Sequence, residues 1–146
     1  MRGKGWIAAA VFLTDRLTKL LSEKIPGGGV TLIPGVLGLR PALNTGMAFS
    51  LLSGHPVLLG ILSLGILAGA FLALRKKKPD PLSQTGLMMM LGGAVGNLTD
   101  RLLKGCVPDM IEFLFIRFAV FNIADACLVI GCGLVMLDLF RGKNNG

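Results

Sequence analysis

Phe121-Asn122-Ile123-Ala124-Asp125-Ala126-Cys127-Leu128-Val129-Ile130 is the stretch on which the fold turns, because it carries an acid inside an apolar run long enough to cross a membrane. A carboxylate in the bilayer core costs roughly 2.5–3.5 kcal/mol on insertion scales, so an acid kept there marks a candidate functional site. A second acid, Asp109, stands 16 residues earlier in Val107-Pro108-Asp109-Met110-Ile111, before the apolar run begins. The two together point to acid/base chemistry at a membrane face.

The rest of the chain agrees with a membrane setting. Of 146 residues, 53% are hydrophobic, and the mean hydropathy is +0.73, which places the protein among integral membrane proteins in a single domain, 1–146. The net charge of +7 is not a nucleic-acid signal, because its densest run, Arg75-Lys76-Lys77-Lys78, directly follows a long apolar segment and reads as a topology signal. Cys106, Cys127, Cys132 and His55 show neither CxxC nor HExxH spacing, so no metal site is expected. The amino end imitates a secretory signal, but apolar character resumes after Asp15-Arg16 and no convincing cleavage site follows. It is read as a retained first helix.

About 20 apolar residues cross a hydrocarbon core, and four segments qualify: 6–21, 55–74, 83–103 and 118–140. Arg2 and Lys4, Arg75 to Lys78, and Arg141 and Lys143 then put both termini and the basic loop in the cytoplasm. The expected fold is an all-α membrane protein of four transmembrane helices with a small β element. That element is an extracytoplasmic platform between helices 1 and 2, where Val30, Leu32, Ile33, Val36, Leu37 and Leu39 alternate with Pro and Gly after a Pro26-Gly27-Gly28-Gly29 turn.

In this orientation Asp100 and Arg101 reach the outer end of the third helix. Asp109 lies on the following loop, and Asp125 sits two turns into the fourth helix, roughly 10 Å below its start. Two carboxylates sharing a site do not both ionise cheaply, so the pair holds a general base and a general acid, the combination that hydrolyses amides. Asn44, Asn97 and Asn122 stand in the same region, able either to orient the acids or to act as polar glue between helices. Asp15 and Lys19, spaced i,i+4, offset each other's burial. Gly92-Gly93-Ala94-Val95-Gly96 lets another backbone come close. Ser50 and Ser53 with Lys104 are the raw material for a serine/lysine hydrolase, a weaker reading because Lys104 sits at a helix end where it reaches water.

Five stretches in order carry a family resemblance: Asp15-Arg16-Leu17-Thr18-Lys19, Asn44-Thr45-Gly46-Met47-Ala48-Phe49-Ser50, Gly92 to Arg101, Val107-Pro108-Asp109-Met110-Ile111, and Phe121-Asn122-Ile123-Ala124-Asp125. Over nearly its whole length the chain resembles the lipoprotein signal peptidases (signal peptidase II). The resemblance implies a monomeric aspartic endopeptidase of the bacterial inner membrane, multi-pass, with its site toward the extracytoplasmic face. It would cut signal peptides from prolipoproteins before a diacylglyceryl-modified cysteine, without a cofactor. Its implied partners are lipid-modified prolipoprotein signal peptides, membrane lipid and the inhibitor globomycin. Asp109 and Asp125 match the catalytic pair; Asn97, Asp100, Arg101 and Asn122 match positions that shape the site; Asp15, Lys19 and Asn44 match supporting positions. Pro108 departs from the apolar residue expected there and removes a backbone N–H. The rival readings are a small proton-coupled transporter and a noncatalytic assembly factor. The clustering of Asp100, Asp109 and Asp125 toward one face argues against the transporter, which wants acids spread through the membrane depth.

Overall fold

The computed structural model describes residues 3–46, 56–75 and 79–144. Four helices dominate: α1 (Gly5–Ser22), α2 (Pro56–Arg75), α3 (Pro81–Lys104) and α4 (Ile123–Asn144). Local chemistry marks their ends. Pro56 opens α2 and Pro81 opens α3, positions where the missing N–H has no helical partner to lose. Gly105, at φ +70°, closes α3 by returning its N–H to the Arg101 carbonyl at 3.1 Å, a left-handed cap that Gly adopts without strain.

Helix α3 is the hub, packing against α1, α2 and α4. Its glycines make that possible, since a Cβ on Gly93 would lie 2.6 Å from the Ala124 carbonyl oxygen, and one on Gly92 2.5 Å from that of Ala8. At the end of the bundle where α1 and α3 begin, Leu87, Met88 and Val135 form a small apolar core with Ile7, Ala8, Phe71 and Met90 packed against it. Lys4 bonds the Pro81 carbonyl and the Thr85 hydroxyl at 2.7 and 2.8 Å, and Ser83 bonds Asp138. The other end of the bundle is polar inside.

The outer surfaces reverse this pattern. Trp6, Leu13, Leu17 and Leu20 on α1 and Val129, Ile130, Leu139 and Phe140 on α4 are exposed, while Asp15, Lys19, Asn97, Asp100 and Asn122 are buried. An apolar exterior around a polar interior suits a lipid solvent. Among the described residues, one helix, Ile123–Arg141, is long and apolar enough by itself to cross a membrane; α1 and α3 carry the buried charges and amides.

The platform is an antiparallel sheet of β1 (Val30–Ile33), β2 (Leu37–Asn44) and β3 (Val107–Phe113), in that order. The sequence places this element between the first two helices. Its third strand instead comes from the connection between α3 and α4, and it takes Asp109 out of the expected loop and sets it in a strand opposite Ala42. Pro108 pairs with Leu43 in this outermost named strand, where a missing N–H is tolerated.

A second difference concerns the start of α4, expected near Phe118 and found at Ile123. The intervening residues are held extended, because Phe121 bridges Ile111 and accepts the N–H groups of Met110 and Ile111 at 3.0 and 2.8 Å. Asp125 therefore lies in the first turn of α4 rather than two turns down.

Candidate functional site

The first turn of α4 is built as a reciprocal cap. The Asn122 side-chain oxygen accepts the Asp125 N–H at 2.9 Å, and the Asp125 carboxylate accepts the Asn122 N–H at 3.3 Å, an arrangement that satisfies orphan donors from both sides. The Ala124 N–H is taken at 3.1 Å by Asp15, from α1. These N–H groups form the positive end of the helix dipole, which favours an anion at this point.

The two acids are held by amides. Asn97 donates its side-chain nitrogen to one Asp125 oxygen at 2.8 Å, while Asn44 and Asn122 donate theirs to the two oxygens of Asp109 at 3.0 and 2.7 Å. Asn122 thus touches both carboxyl groups, through its side chain to Asp109 and its backbone to Asp125. Among the described residues, neither acid forms an ion pair. Burial pushes the Asp109 carboxyl up to about 6, with like-charge repulsion from Asp125 adding to it and the Asn44 and Asn122 hydrogen bonds opposing it. An acid in that range exchanges its proton near neutral pH, as general acid/base work requires.

Behind the amides lies an ionic cluster. Lys19 is 3% exposed and uses three donors on three acceptors, Asp15, Asn97 and Asp100, each at 2.8 Å. Arg16 pairs with Asp100 and reaches Asp15 at 3.4 Å. Two acids and two bases balance, which offsets part of the cost of burying them. The i,i+4 spacing made the Asp15–Lys19 pair readable. The sequence also set Arg16 alongside that pair, but its main partner, Asp100, stands 84 positions away and no local spacing points to it.

Arg101 stands apart from that cluster. It donates to the Gly46 carbonyl at 3.2 Å, and its Nε is buried without a partner among the described residues. It lines a cleft of about 530 Å³ together with Asn44, Asn97 and Asp125, under walls from Leu98, Phe118, Phe121, Leu128, Val129 and Ile130. Asp125 opens onto this cleft and Asp109 is buried behind it, 2% exposed. An apolar cleft with a few convergent polar groups fits a ligand that is mostly hydrocarbon and carries a polar backbone at one point.

All nine expected site residues are therefore traceable. Asn44, Asn97, Asn122, Asp109 and Asp125 form one hydrogen-bonded set, Asp15, Lys19 and Asp100 form the ionic cluster joined to it through Asn97, and Arg101 borders the cleft. The serine/lysine alternative has no support in this geometry: Lys104 pairs with Glu23 at the surface at 3.1 Å, and Ser50 and Ser53 lie outside the described residues. Met47 to Ser50 of the second matching stretch also lie outside them.

Comparison with known proteins converges on one family. A family model described as Signal peptidase (SPase) II matches residues 7–141. The chain is 36% identical over 143 residues to the lipoprotein signal peptidase of Brevibacillus brevis, covering 95% of this chain and 96% of that protein. It is 43% identical over 136 residues to the one from a Nostoc species, covering 90% and 86%. Two solved structures, both described as bacterial membrane enzymes determined by the in meso method, superpose with TM-scores of 0.87 and 0.81. Their identities are 31% and 30%, over 99% and 95% of this chain and 92% and 94% of theirs.

Proposed function

This chain belongs to the signal peptidase II family, and from that premise we propose that it removes signal peptides from diacylglyceryl-modified prolipoproteins, using Asp109 and Asp125 to activate water. The family makes it an aspartic-type peptidase of bacterial membranes. The observation that carries the mechanism is the pair of buried acids bridged by Asn122, one open to the cleft and one behind it. One carboxylate takes a proton from the attacking water while the protonated partner polarises the scissile carbonyl and then protonates the leaving amine. Asn97, Asn44 and Asn122 keep the carboxyl groups aimed.

The substrate suits the cleft. A signal peptide crosses the bilayer as a helix and its diacylglyceryl chains stay among acyl tails, so the bond before the modified cysteine is presented at the interface. Backbone groups freed where that helix unwinds need partners at this depth. Arg101 and the amides are the donors at hand.

The same reading includes four membrane spans formed by α1 to α4, with both termini in the cytoplasm and the sheet on the outer face of the inner membrane. In support, Lys4 and the Ser83–Asp138 pair join helix ends at the end of the bundle where α3 begins, the sequence runs Arg75-Lys76-Lys77-Lys78 shortly before that start, and Asp109 and Asp125 lie at the other end. The enzyme acts as a monomer and binds globomycin-type inhibitors in the cleft.

A gel-shift assay tests this function. Purified protein in detergent is expected to shorten a diacylglyceryl-modified prolipoprotein, to leave the unlipidated form intact, and to be blocked by globomycin. Equal cleavage of both forms, or none by folded protein, would refute the assignment.

A further inference from the structure

The polarity of the two central amides is fixed from outside the dyad. Asn97 Oδ1 receives the Lys19 ammonium at 2.8 Å. An ammonium only donates, so the amide oxygen must face Lys19 and the NH2 group must face Asp125. Asn122 is locked by the same logic, its oxygen held by the Asp125 backbone N–H and its NH2 turned to Asp109. Were either amide to flip, it would present its oxygen to a carboxylate and its NH2 to a donor, leaving buried groups opposed on both sides. Lys19 itself has no freedom to leave. Asp15 and Asp100 hold its other two donors, and Arg16 binds Asp100 from the side open to its surroundings.

We infer that Lys19 is a positioning residue for the peptidase reaction, acting through Asn97: its ammonium fixes the Asn97 amide so that the NH2 group holds Asp125 in its working orientation. Asp15 serves the same end twice, by anchoring Lys19 and by taking the Ala124 N–H at the start of α4. The inference rests on the peptidase reading of the dyad.

Steady-state rates of the full-length chain on a diacylglyceryl-modified prolipoprotein test it. Lys19→Met is expected to lower kcat on the order of ten- to a hundredfold, as loss of an orienting partner does, with KM changed by less than about threefold. Lys19→Gln restores an N–H donor toward Asn97 and recovers part of the loss. Combined with Asn97→Ala, either Lys19 substitution adds no further loss of rate, because the lysine acts through an amide that is no longer there. Additive losses overturn the assignment, as does a normal rate in a folded Lys19→Met protein. If Lys19→Met does not fold, the cycle between Lys19→Gln and Asn97→Ala decides by the same criterion. A wild-type protein that fails to cleave refutes the peptidase reading; one that cleaves alongside fully active Lys19 variants refutes this inference alone.

Discussion

Two pairs of acids lie at the same end of the bundle and are held in opposite ways. Asp15 and Asp100 are locked by Lys19 and Arg16 into a balanced ionic cluster, whereas Asp109 and Asp125 are gripped by amides and backbone N–H groups with no ion pair among the described residues. A cation holds a carboxylate in place by strongly favouring its charged form. An amide holds the same geometry with a weaker bias on charge, and at Asp109 burial outweighs it. On the peptidase reading proposed above, the kind of partner separates acids that build the site from acids that pass protons.

The comparison breaks first at the dyad. Asp109→Asn and Asp125→Asn are each expected to lower cleavage by on the order of 10³ or more, within the range carried by general acid/base groups, while the protein inserts and purifies normally. Near-normal processing by either variant would remove that residue from the dyad. The ionic pair answers differently. Asp100→Asn leaves Lys19 and Arg16 short of a countercharge and is expected to cost about 3–5 kcal/mol of stability, the range for breaking a buried ion pair, read as a fall in the unfolding midpoint in detergent.

A smaller effect sharpens the contrast through pH. Because the Asp109 carboxyl is raised from 3.8 to about 6 in the folded protein, the folded state holds that proton more tightly than the unfolded chain does. The stability this contributes is complete below about pH 4 and is lost as pH rises through about 6, at most about 3 kcal/mol in all. Melting curves between pH 4 and 7 should show the midpoint falling over this window, with a shallower fall in Asp109→Asn; an unchanged slope would contradict the raised value. The smallest effect belongs to the platform, where Arg40 and Glu112 pair at 3.2 Å at the surface. Glu112→Gln is expected to shift stability by less than about 1 kcal/mol, and a larger change in melting would show that the sheet edge contributes more than a solvated pair.

The helices and the acids were legible in the sequence for the same reason. In lipid, long apolar runs and isolated charges are both conspicuous, so the segments that become α1 to α4 and the candidacy of Asp109 and Asp125 could be read directly, though not the local structure that holds either acid. The Asp15–Lys19 pair was legible because i,i+4 spacing is local. What escaped was non-local. Arg16 finds Asp100 across 84 positions. Strand β3 is buried over Val107 to Met110 without the alternation that betrays a half-exposed strand, and Pro108 speaks against a strand altogether. The depth of Asp125 was misjudged because apolar residues from Phe118 onward look helical, yet a bridge from Phe121 to Ile111 holds the chain extended until Ile123.

The cap that opens α4 also limits how this chain tolerates insertions and deletions. Asn122 and Asp125 complete each other's hydrogen bonds only at a spacing of three, and the same residues aim one carboxyl group at the cleft and hold the other behind it. Adding or removing one residue between them would turn the acid by about 100° around the helix axis and uncap the helix in the same step. Length variation in this chain is therefore expected in the loops away from Asn122 to Asp125, and a library of single-residue insertions should recover active clones in the turn at Pro26 to Gly28 and none in this short interval.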